Sequence, residues 1–360
     1  MKRIDTEAAF DGIVGHPHAK AILTAALASD RVAHAYLFHG EAHIGKFMTA
    51  TAFAKMGLCA HPKTGRALGR PTIAVCGQCP SCLAVDSGSH PDLQIVRPDG
   101  VQIKIGQIRE LQDAIAFKPL IGSRKWFVID EADSMNAEAA NCFLKTLEEP
   151  PDHSVLILVS GRPGALLPTI LSRCQSVRFG PPSLQTLSHW LQKERGVGPE
   201  EARLLAALSM GRIGVAIGGD PAALMNERDR ILGALSKERL EDPSDLFSQS
   251  DELAATAEQL DRSLETIEIW LRDVLIARHD PDASLLVNQD IPEQIADWSR
   301  AVSTDAVLEM LTLIHLLKRA APRNLNHALV LETVLLKIRD AVVGESAGDS
   351  KAGETGRIRK

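Results

Sequence analysis

Aromatic residues make up only 4% of this 360-residue chain, with a single tyrosine, and the formal net charge is a modest −6. Without a positive balance, and with few rings on which bases could stack, the whole molecule gives no reason to expect tight nucleic-acid binding; any such contact has to be local. No stretch reaches the run of about 18 apolar residues that a membrane-spanning helix needs. The amino-terminal MKRIDTEAAF turns acidic before any apolar core of a secretory signal. Secretion and membrane insertion are therefore not expected, and a cytoplasmic location is. Six cysteines in a chain of that kind point to metal ligands or buried thiols ahead of a disulfide framework. The length predicts two or three domains, each large enough to bury a core.

A second absence is local. Residues 40–47, GEAHIGKF, have the glycines and lysine of a phosphate-binding loop, but Phe47 stands where the Mg²⁺-holding Ser or Thr belongs. Gly40, Gly45 and Lys46 still suit a phosphate: backbone N–H groups near Gly45 open a helix, and Lys46 reaches the outer oxygens. Phe47 has no oxygen to give a metal. Thr49, two residues on and so about 200° around the helix, faces away from that position. Asp130 and Glu131 follow the apolar run 126–129, as in hydrolases whose first carboxylate helps hold Mg²⁺ and whose second polarises the attacking water. Acids also commonly cap strand ends, and both roles need a competent loop. A degenerate nucleotide site is expected, without hydrolysis; the residues leave open whether ATP or ADP still binds.

Apolar β-rich runs at 35–38, 93–96, 126–129 and 155–159 alternate with helical patterns at 45–58, 105–117 and 136–147. That alternation predicts a parallel sheet covered by helices. After Phe179 the pattern breaks at Gly180-Pro181-Pro182, and no further strand is expected. Residues 183–195 and 199–209 read as two helices with a short third after Gly211, ending near Gly218-Gly219-Asp220-Pro221. Beyond lie a long amphipathic helix at 252–278 and one at 307–317, apolar on most of its circumference and expected to pack on several sides.

Cys76, Cys79 and Cys82 form two overlapping Cys-x-x-Cys units, and Cys59 offers a fourth thiolate at the end of the helix that starts in the phosphate loop. Four thiolates suit tetrahedral, structural Zn²⁺, with no open position for catalysis. An iron–sulfur cluster uses similar ligands but fits less well without a redox motif. Cys142 and Cys174 read as inert buried thiols.

His34–Phe38 (HAYLF), the four-cysteine insertion, 129–133 (IDEAD), 144–151 (LKTLEEPP) and 171–174 (LSRC), in this order, resemble the AAA+ clamp-loader subunits of bacterial DNA polymerase III. The resemblance covers about the first 220 residues. It implies an α/β AAA+ domain of the P-loop type at 1–179, with a parallel sheet and a zinc knuckle at 59–82. A small helical lid at 180–221 and an all-α collar for oligomerisation at 222–343 follow, and the small, charged residues 344–360 are expected to be disordered by their composition. Hydrolysing members keep Lys-Thr or Lys-Ser at the loop; Phe47 places this chain with those that have lost it. Gly214 falls where they carry a γ-phosphate-sensing arginine, and Arg212 is displaced by about 200° on a helix. Ser160, where the family's first sensor is polar, reads better as a cap of the next turn.

In this family the arginine of Ser172-Arg173-Cys174 is donated to the ATP of a neighbouring subunit, so the resemblance implies an arginine finger acting in trans. On its residues alone, Arg173 would be a surface arginine at a helix end. The implied role is a non-hydrolysing stator in a five-subunit ring with ATPase subunits and delta. That ring opens and places the sliding clamp on primed DNA, as part of a DNA-directed DNA polymerase holoenzyme. The collar stripe Leu264, Ile267, Leu271, Val274 and Leu275 is expected to face neighbouring subunits, although it could equally pack within the chain. Two other readings stay open: an active ATPase with its metal held by Asp130 and phosphate oxygens, and a zinc-dependent nucleic-acid-binding module.

Overall fold

The computed structural model describes residues 10, 12–67, 70–209, 211–218, 220–279, 286–320 and 326–349. The amino-terminal stretch weighed above, apart from Phe10, and the expected tail from residue 350 onward lie outside the described residues. The chain divides into two compact units, the first ending at Gly218.

In the first unit α1 (Pro17–Ala28) precedes β1 (Ala35–His39), α2 (Lys46–Leu58), β2 (Lys63–Ala67), β3 (Arg70–Ala74) and α3 (Pro80–Asp86). There follow β4 (Leu93–Val96), α4 (Ile105–Ala116), β5 (Lys125–Ile129), α5 (Ala137–Glu148) and β6 (Ser154–Ser160). A short α6 (Pro168–Leu171) and β7 (Gln175–Arg178) complete the α/β layer. Three helices close the unit: α7 (Leu184–Arg195), α8 (Pro199–Leu208) and α9 (Ile213–Gly218).

Five strands form a parallel sheet in the order β4-β5-β6-β1-β7. Successive residues of a strand point to opposite faces, and here both faces are covered. Tyr36, Phe38, Trp126, Val128 and Ile157 pack with Leu23, Phe53 and Met56 of α1 and α2. Leu37, Phe127, Ile129, Leu156 and Leu158 pack with Ile108, Leu111 and Phe143 of α4 and α5. The scarce aromatics gather on the first of these faces, where Tyr36, Phe38, Phe53, Trp126 and Phe179 form a chain of ring contacts.

The four expected strands and three expected helices of this layer are present. Two further elements carry little apolar signal. Edge strand β7 buries only Val177 of its four residues, and α1 is rich in alanine. The cysteine insertion also holds the antiparallel hairpin β2–β3 and α3 beyond the metal knuckle expected there.

The second unit is helical: α10 (Pro221–Gly233), α11 (Lys237–Glu241), α12 (Pro243–Leu253), α13 (Ala257–His279), α14 (Pro292–Ala301), α15 (Thr304–Ala320) and α16 (His327–Asp349). Four expectations are corrected. The helix expected at 252–278 begins only at Ala257, with residues 252–253 ending α12, because Thr256 and Gln259 open it: Thr256 Oγ1 accepts the Gln259 N–H at 3.2 Å, and Gln259 Oε1 accepts the Thr256 N–H at 3.0 Å. The stripe Leu264, Ile267, Leu271 and Val274 is spent inside the unit's own core, with Leu275 packed against it, and does not face outward. On α15, Val307, Met310 and Ile314 are buried, but Leu308 and Leu316 stay exposed, so the helix is covered on one side. Residues 345–349, expected in the tail, continue α16. Arg228 is only 3% exposed, and burial at that depth requires partners: Asp290 and Asp229 lie at 2.6 and 2.7 Å.

In the first unit, buried Asp92 holds the loop between α4 and β5, accepting the N–H groups of Leu120, Ile121 and Gly122 at 2.6, 2.8 and 2.9 Å. Burial raises this carboxyl, but the three N–H groups outweigh it and hold it below the usual carboxylate range. Its stabilisation is complete above the ordinary pKa and is lost as pH falls through the lowered one. Asp92→Asn should cost about 1–3 kcal/mol at neutral pH, and the gap to wild type should narrow in acid. Urea unfolding at both pH values checks this.

Candidate functional site

The phosphate loop leaves the carboxyl end of β1 between α2 on one face and α4 and α5 on the other, the switch point at which open α/β sheets bind ligands. Gly40 sits at φ 147°, where a Cβ would lie 2.2 Å from the Phe179 carbonyl oxygen, so only glycine lets the loop pass. Gly45 caps α2. Lys46 is 5% exposed and turns onto the loop itself, its Nζ donating to Gly40 O at 2.8 Å and to Glu41 O. Burial lowers the Lys46 pKa, against the opposing pull of Asp133, Asp130 and Glu41. Thr49 Oγ1 donates back to Gly45 O at 2.9 Å, so its hydroxyl serves the helix and does not replace the missing metal ligand. His16 supports the loop from outside: Nε2 lies 2.6 Å from Ile44 O, its ring packs edge-on to Phe179, and burial lowers its pKa.

Asp130 follows β5, and burial raises its carboxyl. Its neighbour Glu131 is exposed, in the left-handed region at φ 48°. Arg97, which the motifs did not single out, completes this corner. Its guanidinium lies over the Phe47 ring, 4.8 Å from the centroid, and its Nε is 3.9 Å from Asp130 Oδ2. Its position follows from pairing of β4 with β5, a tertiary fact with no local sequence signal. Asp133 accepts the Gly161 N–H and pairs with Arg162, both at 3.1 Å. Ser160 Oγ accepts the Arg162 N–H at 3.1 Å, which is the capping role. Gly214 donates its N–H to His43 O at 3.1 Å, so α9 meets the loop at a residue with no side chain to offer.

Arg173 lies apart in its contacts. It follows α6, with Nη2 donating to Glu148 Oε1 at 2.9 Å and Nη1 to Thr169 O at 3.1 Å, and its side chain is 35% exposed. Neither partner belongs to the phosphate loop.

Cys59, Cys76, Cys79 and Cys82 come together with their Sγ atoms all within 4.8 Å of one another. Cys59 caps the end of α2, and Cys79 precedes α3. The Sγ of Cys76 lies 3.6 Å from that of Cys59 and 4.0 Å from that of Cys82. A tetrahedral zinc with Zn–S near 2.3 Å places its sulfurs about 3.8 Å apart. Backbone N–H groups of Cys76, Cys79 and Cys82 each point at a preceding Sγ at 3.4 Å, as sulfur carrying charge requires. Gly77, at φ 74°, makes the turn between the first two of these. Burial raises the Cys79 thiol, yet the N–H groups of Cys82 and Ala60 outweigh it and bring it down to about 6. Burial pushes Cys82 up to about 12. Four such sulfurs become thiolates together only with a cation among them. Cys142 and Cys174, expected to be buried, are partly buried, packed against the core on the α4 and α5 face, and Cys142 donates to Gln112 Oε1 at 3.4 Å.

A family model described as DNA polymerase III, delta subunit, matches residues 15–183, and one for the C terminal of that subunit matches residues 222–340. DNA polymerase III subunit delta' of Bacillus subtilis is 38% identical over 197 residues, 54% of this chain and 56% of that protein. Its counterpart from Pseudomonas aeruginosa is 37% identical over 182 residues, 50% of this chain and 53% of that protein. The chain thus spans about half the length of these relatives. Among solved structures, a DNA polymerase III gamma subunit-related protein of Thermotoga maritima covers 86% of this chain and 95% of its own, at 17% identity and a TM-score of 0.38. That likeness is too loose to bear on the site. No described helix is long and apolar enough to cross a membrane. With two successive models of one subunit covering most of its length, the chain belongs to the DNA polymerase III delta-subunit family.

Proposed function

We propose that this chain is a non-hydrolysing, delta-prime-like subunit of the bacterial DNA polymerase III clamp loader. The observation that carries the reading is the loop itself: Lys46 is turned onto the loop's own carbonyls, and Phe47 lies beneath Arg97 where a metal ligand belongs. The fold of a nucleotide switch is kept and its chemistry is not. In this reading residues 1–179 are an AAA+ domain, 180–221 a lid and 222–343 a collar, in a five-subunit ring with ATPase subunits and delta. The ring acts on the sliding clamp and primed DNA in the cytoplasm. Arg173 is the arginine finger offered to a neighbour's ATP, with Glu148 and Thr169 holding the guanidinium in place beforehand. The cysteine cluster holds one structural zinc, which cross-links the end of α2 to the start of α3.

The zinc assignment is tested by elemental analysis of chain purified without chelator. About one equivalent is expected through four closed thiolates, with less than a tenth of an equivalent of zinc or iron counting against it. Cys79→Ser should loosen the insertion and leave the sheet folded.

The isolated chain should show no Mg²⁺-dependent ATP turnover above background, because Phe47 offers no ligand and Gly214 no sensor. Steady-state assays check this, and turnover abolished by Lys46→Ala would show a living site. Phe47→Thr alone should not restore hydrolysis.

Arg173→Ala should leave folding and assembly intact but lower DNA-stimulated hydrolysis by the reconstituted loader. A donated arginine is worth on the order of 10³-fold or more at its own site, so with several sites firing the summed rate should fall partially. Lysine should not rescue it, lacking the planar fork. Unchanged ATPase and clamp-loading rates would make Arg173 an ordinary surface residue.

A further inference from the structure

In phosphate-loop hydrolases two protein positions hold the divalent metal: the hydroxyl directly after the loop lysine and a carboxylate at the end of a neighbouring strand. In this chain those positions are Phe47 and Asp130, and a single guanidinium reaches both. Arg97 lies 4.8 Å from the Phe47 ring centroid, and its Nε lies 3.9 Å from Asp130 Oδ2. We propose that Arg97 is the resident cation of this site, standing where the divalent metal would and keeping it out.

The chemistry of the donors agrees. A hard divalent cation needs oxygen ligands, and a phenyl ring supplies none. The face of the same ring attracts a guanidinium through its quadrupole. Phe47 is therefore more than a lost ligand: it is a platform suited to an organic cation and useless to a metal. Asp130 then needs a counter-charge of another kind, because burial alone disfavours its ionised form, and Arg97 and Lys46 both act to restore it.

The backbone places Arg97 there irrespective of any bound molecule. Arg97 directly follows β4, and the preceding Val96 carbonyl accepts the Asp130 N–H at 2.9 Å. From α4, Gln107 Nε2 donates to the Arg97 carbonyl at 2.7 Å. The arginine's side chain is 60% exposed, so its ion pair contributes little to stability and its removal should leave the fold intact. A divalent ion approaching Asp130 meets this guanidinium and the Lys46 ammonium together, and both repel it.

The inference rests on reading the loop as hydrolytically silent, and it is tested by metal binding, so that the two can fail separately. Full-length, zinc-loaded chain is titrated with Mn²⁺ in the presence of ADP, and free Mn²⁺ is followed by its electron paramagnetic resonance signal. Wild type and Phe47→Ser should take up little Mn²⁺ beyond what the same concentration of ADP binds without protein. Phe47→Ser/Arg97→Gln should bind it on the order of tenfold more tightly than Phe47→Ser, whereas Phe47→Ser/Arg97→Lys, which keeps the charge, should not. Circular dichroism verifies the fold of each variant. Tight Mn²⁺ binding by Phe47→Ser alone, or no gain on adding Arg97→Gln, would overturn the proposal. ATP turnover by the wild-type chain would sink the silent reading instead.

Discussion

Strand β1 is hydrogen-bonded on both edges, to β6 and β7, and its side chains are buried on both faces of the sheet. From its end the chain passes Gly40 so close to the Phe179 carbonyl that no side chain fits. The Phe179 N–H in turn donates to His39 O at 2.8 Å. The path of the phosphate loop is thereby imposed by the sheet core and by the segment after β7, not by a nucleotide. A loop shaped in this way keeps its form whichever residues stand at positions 47 and 214, because neither of these side chains holds it.

The charges around that loop are arranged to the same effect. Lys46 is buried and answered by two carbonyls, and Asp133 by Arg162 and the Gly161 N–H. Asp130 is answered by the nearby cations Arg97 and Lys46. Buried charge is tolerated only when paired and hydrogen-bonded, and here every pair is internal to the chain. Arg173 differs from this corner in its partners: it is held by an exposed carboxylate and a helix carbonyl, and its planar fork keeps donors in excess of the two it uses.

The helical unit follows a similar economy. Its apolar stripe on α13 is consumed by α14, α15 and α16 within the same unit, leaving exposed leucines such as Leu308 and Leu316 on α15. Stability of that unit comes from its own core, and its buried Arg228 is paired with the partly exposed Asp290.

Much of the molecule could be read along the chain. Continuous apolar, β-rich runs predict β1, β4, β5 and β6, the Gly-rich loop marks the start of α2, and the spacing of Cys76, Cys79 and Cys82 marks a shared ligand set, because each of these signals is local. Capping signals are local as well, but the Thr256–Gln259 box is short and easily lost inside a long amphipathic pattern, so the start of α13 reads five residues too early. β7 escapes because an edge strand buries a single side chain and carries almost no pattern. What no local signal holds is which residues meet across the sheet. That Arg97 crosses from the end of β4 to Phe47 and Asp130, and that the α13 stripe turns inward, follow from strand order and helix packing, which bring together groups far apart in the chain. The sequence by itself determined that position 47 carries a phenyl ring and no oxygen; only the tertiary structure decided that a guanidinium lies over that ring, because it depends on how β4 pairs with β5.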